Sequence, residues 1–510
     1  MKQTITILLL MIVSLSATAG PTQAEVDAIR ESIRVLYDQA KAAKDASDDP
    51  AVQGYARAIE RIADTARTLG VQLDALVDDA IEPTPPVDPP VIEPEPVDPP
   101  EPPVVSPPVE AGELTPGDGW DGPTAKPGQI GTAHEIVIAQ WNVVPEQQIT
   151  GSFHLGVVAH HIEGIDHVMI GVDGGPWLKV SEASINPRTG SEEYWATLNT
   201  TGQTGWKEVR AIAVPTSGKP RVLPSIRLYA GENSELFPEI VLQAGTYDAG
   251  ELVGRFGVHT KGWATIRAAD GVSNDQVVIT GNINTRDRHI RFKGITRKLG
   301  QWDEHYGNLS PESWWWFDNS RIIGNKLSRW IVHHSARQYY TKAYITDMQV
   351  AFQGANLLAR DVVIERGWED ICRSYGMMVN VTVKRLDRGE FTNYHPDLFQ
   401  WFQADMDNFI AQDVSSPNNV GQGLFPGDIK NSAFVRMDIT TVGNYRALQM
   451  QGKTRNVLLK DCEFNGPGNL RNDKGFVIPA GERLVFDNTT VGGGDPPLPA
   501  GWQQDGVEIR

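Results

Sequence analysis

The C-terminal half of the chain repeats one pattern at intervals in the twenties. In each repeat a polar anchor residue is followed by apolar or small residues at positions +1, +3, +6 and usually +8. From Asn356 onward the anchors fall 24, 28, 23, 25 and 27 residues apart. Five of them are asparagines, namely Asn356, Asn380, Asn408, Asn431 and Asn456. The same interpretation assigns further anchors at His289, Arg321, Lys342 and Arg483.

Each repeat predicts two short strands joined by a bend. After Asn456 the apolar positions are Val457 and Leu459 and then, beyond a two-residue corner, Cys462 and Phe464. Such alternation turns one face of each strand inward. A period in the twenties built from such strands predicts a solenoid in which each coil covers its neighbour. Leucine-rich repeats are the main alternative, but the Leu-x-x-Leu-x-Leu skeleton is absent and no segment of helical period separates the strands.

This pattern resembles the right-handed parallel β-helix of the pectate-lyase-like superfamily, and the resemblance covers residues 235–492. It implies an all-β main body in which the β-helix is the largest part. Function on a solenoid lies in an exposed groove rather than in the repeat itself. The fold therefore narrows the class of substrate without naming a reaction.

The N-terminus is typical of a secretory signal peptide over residues 1–19. Lys2 precedes an apolar run from Ile5 to Leu15, and Ala17-Thr18-Ala19 follows as a cleavage site. The apolar run is too short to span a bilayer, and no later segment is long and apolar enough to do so. We therefore expect a secreted or cell-surface-associated protein without a membrane span.

Net charge and cysteine content narrow the partners and the covalent chemistry. A formal charge of −18 argues against nucleic acid, because phosphate binding needs a basic face. An extracellular polysaccharide is the expected partner. It is either neutral, or acidic and bound through local arginines or a bridging cation. Cys372 and Cys462 are predicted to lie at least three coils, or about 14 Å, apart, which exceeds the ~7 Å limit for a disulfide. Both are expected in the core.

Two segments precede the β-rich part. Residues 20–81 have two apolar stripes at helical spacing, broken at Ser47-Asp48-Asp49-Pro50, and predict a helical hairpin. The stretch 25–81 buries little surface alone, so we expect a homo-oligomer or docking onto a partner, with a plain spacer as the alternative. Residues 82–132 form an acidic, proline-rich linker and connector, whose part from 82 to 110 holds thirteen prolines and no lysine or arginine.

Residues 133–230 alternate as short strands separated by turn signals. They resemble an immunoglobulin-like β-sandwich of the kind that precedes glycan-active domains in exported bacterial proteins. We expect this module to be a spacer or a weak binder. Its His160-His161 and Asp166-His167 are expected to be polar surface rather than a metal site. Residues 493–510 are expected to form a C-terminal tail.

Aligning the coils reveals a second set of positions that precede the anchors. The third residue of each four-residue string should point inward and the fourth outward. The fourth residues are Gln349, Arg373, Gln400, Leu424 and Gln449. They should form one outward row, with Asp370 and Asp397 stacked one coil apart at its edge.

Carboxylates, an arginine, a histidine and amides beside aromatic residues are suited to a polysaccharide groove. The candidate catalytic residues are Asp370, Arg373, His395 and Asp397. Candidate substrate-binding residues are Gln349, Trp368, Glu369, Tyr394, Gln400, Trp401, Arg446, Gln449 and Trp302. No cofactor is required, although Asp370 and Asp397 could bind Ca²⁺. The string His395-Pro396-Asp397-Leu398-Phe399-Gln400 resembles a His-x-Asp-x-x-Gln element of pectate-lyase-like β-helix proteins.

Three interpretations of this row stay open: catalysis, glycan binding without turnover, and a purely structural polar corner. The signature sets of polygalacturonases and pectate lyases are absent. An insertion from Trp302 to Trp316 predicts either one wall of a cleft or a plug for the core. The favoured function is binding and degradation of an extracellular polysaccharide by a lyase or glycoside hydrolase reaction. A non-catalytic glycan-binding adhesin or structural surface protein is the alternative, and a virion tailspike is a third.

Overall fold

The computed structural model describes most of the chain beyond residue 136, within one compact unit. The described residues are 113–114, 137–281, 283, 288–300, 313–325, 331, 336–387, 396–401, 406–470, 475–492 and 505–510, excluding the side chains of 113, 260, 354, 355 and 401. The predicted signal peptide and helical hairpin lie outside them, as does the linker except for residues 113–114. These three predictions stay predictions.

The first part is a β-sandwich of two sheets. One sheet has the order β1-β8-β4-β2, with β7 on β8, and contains β1 (Glu113–Leu114), β2 (Ile138–Trp141), β4 (Ser152–His160), β7 (Ser184–Ile185) and β8 (Glu192–Asn199). The other has the order β3-β11-β9-β5-β6, with β10 on β9, and contains β3 (Gln148–Ile149), β5 (Ile165–Val172), β6 (Leu178–Val180), β9 (Gly205–Pro215), β10 (Arg221–Val222) and β11 (Ile226–Ala230). Leu155, Ile170, Ala196 and Val209 belong to the shared core.

The second part is a right-handed parallel β-helix of twenty-three strands. The strands are β12 (Glu239–Leu242), β13 (Gly245–Asp248), β14 (His259–Ala268), β15 (Val277–Thr280), β16 (Arg288–Lys293), β17 (Thr296–Lys298), β18 (Trp314–Asp318), β19 (Arg321–Ile323), β20 (Arg337–Thr341), β21 (Tyr344–Val383), β22 (Asp397–Trp401), β23 (Met406–Asp407), β24 (Ile410–Asn419), β25 (Gln422–Pro426), β26 (Ile429–Val435), β27 (Asp438–Thr441), β28 (Leu448–Met450), β29 (Thr454–Lys460), β30 (Glu463–Asn465), β31 (Gly468–Leu470), β32 (Leu484–Asp487), β33 (Thr490–Val491) and β34 (Val507–Ile509). A short helix, α1 (Ala249–Gly254), packs Leu252 and Val253 into the same core.

The inward positions of the repeat build the core of the β-helix. Val457, Leu459 and Phe464 are fully buried, and Cys462 is nearly so. Val457 lies beside Leu484 of the next coil, and Leu459 lies beside Phe486, in parallel register. Strand β34 also pairs with β32, so the β-helix continues into residues that the sequence suggested were a tail.

Asparagine is common at the anchors because the backbone there takes a left-handed conformation. Asn356, Asn408, Asn431 and Asn456 have φ between 43° and 59°. Few residues other than glycine enter this region, and asparagine and aspartate do so most readily. The stacked amides also bond to one another, since Asn456 Nδ2 donates to Asn431 Oδ1 at 2.8 Å.

Three of the predicted anchors were placed in the wrong register. Asn380 lies level with Asp413, because its neighbour Val381 pairs with Val414. Both Asn380 and Lys342 sit at the second corner, five residues after the true anchor of their coils, and both have positive φ. Arg321 lies in the second strand of its coil, beside Tyr344. For Asn380 and Lys342 the error has a simple origin: +1 and +3 become +6 and +8 after a five-residue shift, and residues at both corners take positive φ.

The sandwich packs along one outer face of the β-helix instead of standing apart as a spacer. The outward +2 residues of successive coils are apolar and buried, and they include Leu358, Met377, Ile410, Ala433, Leu458 and Val485. The sandwich covers them with Ile138, Val144, Val158 and Ile162. Polar contacts flank this interface, including an ion pair between Arg483 Nη1 and Glu163 Oε1 at 2.6 Å.

Cys372 and Cys462 are free and buried, as expected. Burial raises the pKa of each thiol to about 12. Among the described residues, no helix has both the length and the apolar character needed to cross a membrane.

Candidate functional site

The expected stacking of Asp370 and Asp397 is present in the β-helix. Asp370 in β21 pairs with Asp397 in β22, and Asp397 pairs in turn with Gln422 in β25. The inward neighbours of the same strands, Cys372 and Phe399, also pair and are fully buried. Parallel pairing therefore brings side chains that are twenty-seven residues apart in the sequence onto one edge of the solenoid.

Side-chain hydrogen bonds join the candidate residues into one network. Arg373 Nε donates to Asp370 Oδ2, and Arg373 Nη2 donates to Glu369 Oε1 at 2.7 Å. Gln400 lies beside the same guanidinium, with Arg373 Nη2 3.5 Å from its Oε1, and donates from Nε2 to Asp397 Oδ2. Gln349 Nε2 donates to Glu369 Oε2 at 2.6 Å. We refer to this set as the acidic corner: Gln349, Glu369, Asp370, Arg373, Asp397 and Gln400.

The acidic corner has a buried layer and a partly exposed layer. Asp370 and Asp397 are 0% exposed. The side chains of Arg373 and Glu369 are 21% and 16% exposed. A ligand approaching from solvent therefore meets Arg373 and Glu369 before it can reach either aspartate.

Burial sets the electrostatics of the inner layer. It raises the pKa of the Asp370 carboxyl well above its ordinary value, because the charged form is poorly solvated. Arg373 opposes this rise, whereas Asp397 and Glu369 add to it. Burial alone would lower the pKa of Arg373. The negative charges and hydrogen bonds of Asp370 and Glu369 outweigh burial, so the pKa of Arg373 is raised. Asp370 thus keeps a proton to higher pH than an ordinary aspartate, beside a permanently charged arginine.

The outward row differs from the prediction at one coil. Leu424 points into the core, because it pairs with Phe399 and with Leu448, and Phe425 takes the outward place beside Gln400. Gln422 thereby joins the column of Asp370 and Asp397, which the sequence alignment missed.

Glycines mark the coil in which the register was misassigned. A Cβ on Gly421 would lie 2.1 Å from Pro396 O, and one on Gly423 would lie 2.1 Å from Ala447 O. Both glycines are therefore required by close approach of neighbouring coils.

The other predicted substrate-binding residues that the structure describes are buried or half-buried, which leaves them little surface for contact with a sugar. Trp368 is 3% exposed, and the Arg366 guanidinium lies 3.9 Å from its ring centroid, so this ring is not an open stacking surface. Gln449 is buried in β28, and Arg446 is half-buried just before that strand. Trp302, Tyr394, His395 and the side chain of Trp401 lie outside the described residues, and their roles stay predictions.

The triple tryptophan contributes both to the core and to the outer face. Trp315 is buried inside the β-helix against Phe292, whereas Trp314 and Trp316 face outward around Trp263. Residues 301–312 of the insertion lie outside the described part of the chain, so its role as a cleft wall or a core plug stays a prediction.

Positive charge at the acidic corner is supplied by Arg373. No group of three or more histidine, cysteine, aspartate or glutamate side chains is placed to hold a metal ion among the described residues. The predicted Ca²⁺ site at Asp370 and Asp397 stays a prediction.

Comparison with known proteins gives limited context. No protein-family model matches the chain, and no curated protein matches it. A family 28 exopolygalacturonase of Yersinia enterocolitica is similar at 10% identity and a TM-score of 0.25, over 66% of this chain and 97% of that one. A pectate lyase of Erwinia chrysanthemi, solved with tetragalacturonic acid, is similar at 10% identity and a TM-score of 0.11, over 73% and 99%. Function is therefore argued from this chain's own residues.

Proposed function

We propose that this chain is exported and that it binds and cleaves an extracellular polysaccharide at the acidic corner. The observation that supports this most directly is the stacked carboxyl pair of Asp370 and Asp397, in contact with the partly exposed Arg373. A carboxyl with a raised pKa beside a second carboxyl is the arrangement that acid-base cleavage of a glycosidic bond needs.

In this proposal Asp370 is the general acid and Asp397 is the second carboxylate. Neighbouring strands lie about 4.8 Å apart. That spacing is close to the ~5 to 5.5 Å between the carboxyl groups of retaining glycosidases and shorter than inverting enzymes require. The proposal accordingly takes hydrolysis with retention, rather than inversion, as the reaction.

Arg373 controls access to the acid. Because the guanidinium covers Asp370, it has to exchange its carboxylate partner for one on the substrate before Asp370 can meet a glycosidic oxygen. A uronate would offer such a partner, since arginine pairs with carboxylates in a two-pronged geometry. Loss of the Arg373 contact also removes the influence that lowers the pKa of Asp370. Binding of an acidic sugar would thus favour the protonated, donating form of the acid.

Glycan binding without cleavage is a second candidate function. The complete burial of Asp370 and Asp397 favours it, because of the four charged residues of the acidic corner it is Arg373 and Glu369 that are partly exposed to solvent. In that case the aspartates would hold the arginine in position and would never touch the sugar.

A substrate panel separates the two candidates. The full chain is incubated with neutral and uronate polysaccharides, while reducing ends and unsaturated uronates are followed. Release of reducing ends without unsaturated product supports hydrolysis, and both together support elimination. Asp370→Asn should abolish product, whereas the matched change Asp461→Asn, at an exposed corner several coils away, should not. Binding of a polysaccharide with no product supports the second candidate.

A further inference from the structure

A cleft of about 640 Å³ lies between the sandwich and the β-helix. The sandwich lines it with Gln140, Trp141, Arg221 and Pro224, among others, and the β-helix lines it with Trp314, Arg337, Asn356, Tyr375 and Asn408. Clefts of roughly 300 to 1,000 Å³ at domain boundaries are the usual location of ligand sites. None of its lining residues belongs to the acidic corner.

Hydrogen bonds between the two domains hold the cleft in shape. Asn408 Nδ2 donates to Ala139 O, and the Ala139 N–H donates back to Asn408 Oδ1, both at 3.0 Å. Gln140 Nε2 donates to Asn408 O at 2.6 Å. Further along, Trp263 Nε1 donates to Pro145 O at 2.8 Å. The site is therefore preformed, which reduces the entropy lost on binding.

The carboxylates of the cleft have cationic partners nearby. Glu146 is held by Arg227 at 2.5 Å and lies 3.2 Å from His289 Nδ1. Glu208 pairs with Arg210 at 2.8 Å. Asp407, which also lines the cleft, lies 3.8 Å from Lys430 Nζ. The negative charge of the lining is therefore largely compensated by the protein.

Two arginines of the cleft are not compensated in this way. Among the described residues, no ion pair joins Arg221 or Arg337 to a carboxylate. Arg221 Nε donates to Val137 O. Burial lowers the pKa of the Arg221 guanidinium, and the nearby charge of Asp407 opposes this only weakly. The Arg337 guanidinium lies 4.5 Å from the ring centroid of Trp314. Each domain thus contributes one arginine without an ion pair to a described carboxylate, whereas Arg227, which also lines the cleft, is paired with Glu146.

Arg337 lies over the ring of Trp314, and both side chains line the cleft. The Trp314 ring stacks on His289 at 4.2 Å between centroids, and Arg337 covers the same tryptophan. The lining of the same cleft also includes Asn356, Gln140, Trp141 and Tyr375. Apolar rings, amides and a fixed cation together match a sugar that bears hydroxyl groups and a carboxylate.

We propose that this cleft binds a short segment of an acidic polysaccharide through Arg337 and Arg221. The choice of a glycan as ligand rests on the proposed function. The preference for an anionic ligand does not, because it follows from the charges of Arg221 and Arg337. Tyr375 lies two residues from Arg373, about 7 Å along the chain. In this proposal one polymer strand occupies the cleft and reaches the acidic corner along a single coil.

Calorimetric titration of the full chain with uronic acid trimers tests the site. The probes are trimers of galacturonic, glucuronic and mannuronic acid, with the neutral hexose trimers as controls. We expect at least one uronate trimer to bind and its neutral counterpart to bind more weakly. Arg337→Gln should weaken that binding about tenfold or more, the usual effect of removing a charged hydrogen-bond donor.

A second variant protects the test against misfolding of the first. Asn356 is exposed and left-handed, so Asn356→Asp keeps the backbone preference and adds a negative charge to the cleft. It should also weaken uronate binding. Asn319→Asp makes the same change at another exposed left-handed corner, outside the cleft, and should leave binding intact.

The outcomes separate this inference from the proposed function. Asp370→Asn should still bind the trimer, because the cleft does not use that carboxyl. Uronate binding that responds to Arg337 and Asn356 supports the cleft even if no polysaccharide is cleaved. The cleft proposal is overturned if no uronate trimer binds, if neutral trimers bind equally well, or if Asn319→Asp weakens binding as much as Asn356→Asp.

Discussion

The backbone N–H of Asp397 donates to Oδ1 of Asp370 at 3.2 Å, so the Asp370 carboxyl is fixed to the main chain of the next coil even though the Asp397 carboxyl repels its charged form. This contact holds Asp370 in an environment that is 0% exposed. The pKa of Asp370 therefore depends on the position of the next coil, which supplies the Asp397 N–H.

The raised pKa of Asp370 predicts a specific dependence of stability on pH. The folded state binds this proton more tightly than the unfolded state, so the proton's contribution to stability is present below the unfolded pKa of about 3.9 and is lost as pH rises through the folded pKa. Asp370→Asn lacks this loss. Relative to the parent, the variant should gain unfolding free energy between pH 4 and pH 7, measured by urea denaturation. A constant difference across that range would contradict the raised pKa.

Inward and outward positions should respond very differently to truncation. Phe434 is fully buried, and Phe434→Ala should cost about 3 to 5 kcal/mol through cavity formation. Lys460 is exposed, and Lys460→Ala should stay within about 0.5 kcal/mol. Equal losses in the two variants would contradict the assignment of faces.

The covered outer face should behave like a core. Leu458 points away from the β-helix interior but is 2% exposed beneath the sandwich. Leu458→Ala should therefore cost about 2 to 5 kcal/mol, as for a buried leucine. The measurement is thermal or denaturant unfolding. A loss as small as that of Lys460→Ala would mean that the sandwich does not cover this residue in solution.

The left-handed asparagines predict an ordering of substitutions that differs from normal strand preferences. Asn431 has a φ of 43°, so Asn431→Ala should cost about 1 to 2 kcal/mol from backbone strain alone. Asn431→Gly removes the strain but not the lost amide contact with Asn456. The glycine variant should therefore be the more stable of the two. Alanine equal to or better than glycine in equilibrium unfolding would refute the conformational explanation.

The N-terminal hairpin prediction concerns residues outside the described part of the chain. Deleting residues 25–81 should convert an assembly to monomers while the β-helix stays folded. Sedimentation of the full chain and the truncated chain measures this. A full chain that is already monomeric would show that self-association through this segment is wrong.

The repeat made the β-helix predictable because inward residues recur at fixed offsets and stack in register. The anchor at Asn380 was misplaced because both corners of a coil favour left-handed asparagine, and the pattern repeats after five residues. The covered outer face left a signal that was not used: runs such as Val457-Leu458-Leu459 are apolar on both sides of the strand, as expected when both faces are buried.

The acidic corner could be predicted from the sequence, whereas the cleft could not. Asp370 and Asp397 could be matched because they occupy equivalent places in adjacent coils. The cleft depends on contacts such as Ala139 with Asn408, which are 269 residues apart and belong to different domains. No periodicity relates the two, so Arg337 could be identified as a binding residue only once the domains were seen together.

The central claim is that the stacked aspartates of the acidic corner cleave a polysaccharide. Its most direct test is the rate of reducing-end release by Asp397→Asn, compared with the parent on the substrate that the parent cleaves, together with the melting temperature of both. We predict a rate about 10² to 10⁴ lower, the usual contribution of an acid or base group, with little change in melting temperature. A variant that melts early while its folded fraction keeps the full rate would contradict the claim and make Asp397 a residue that only stabilises its coil.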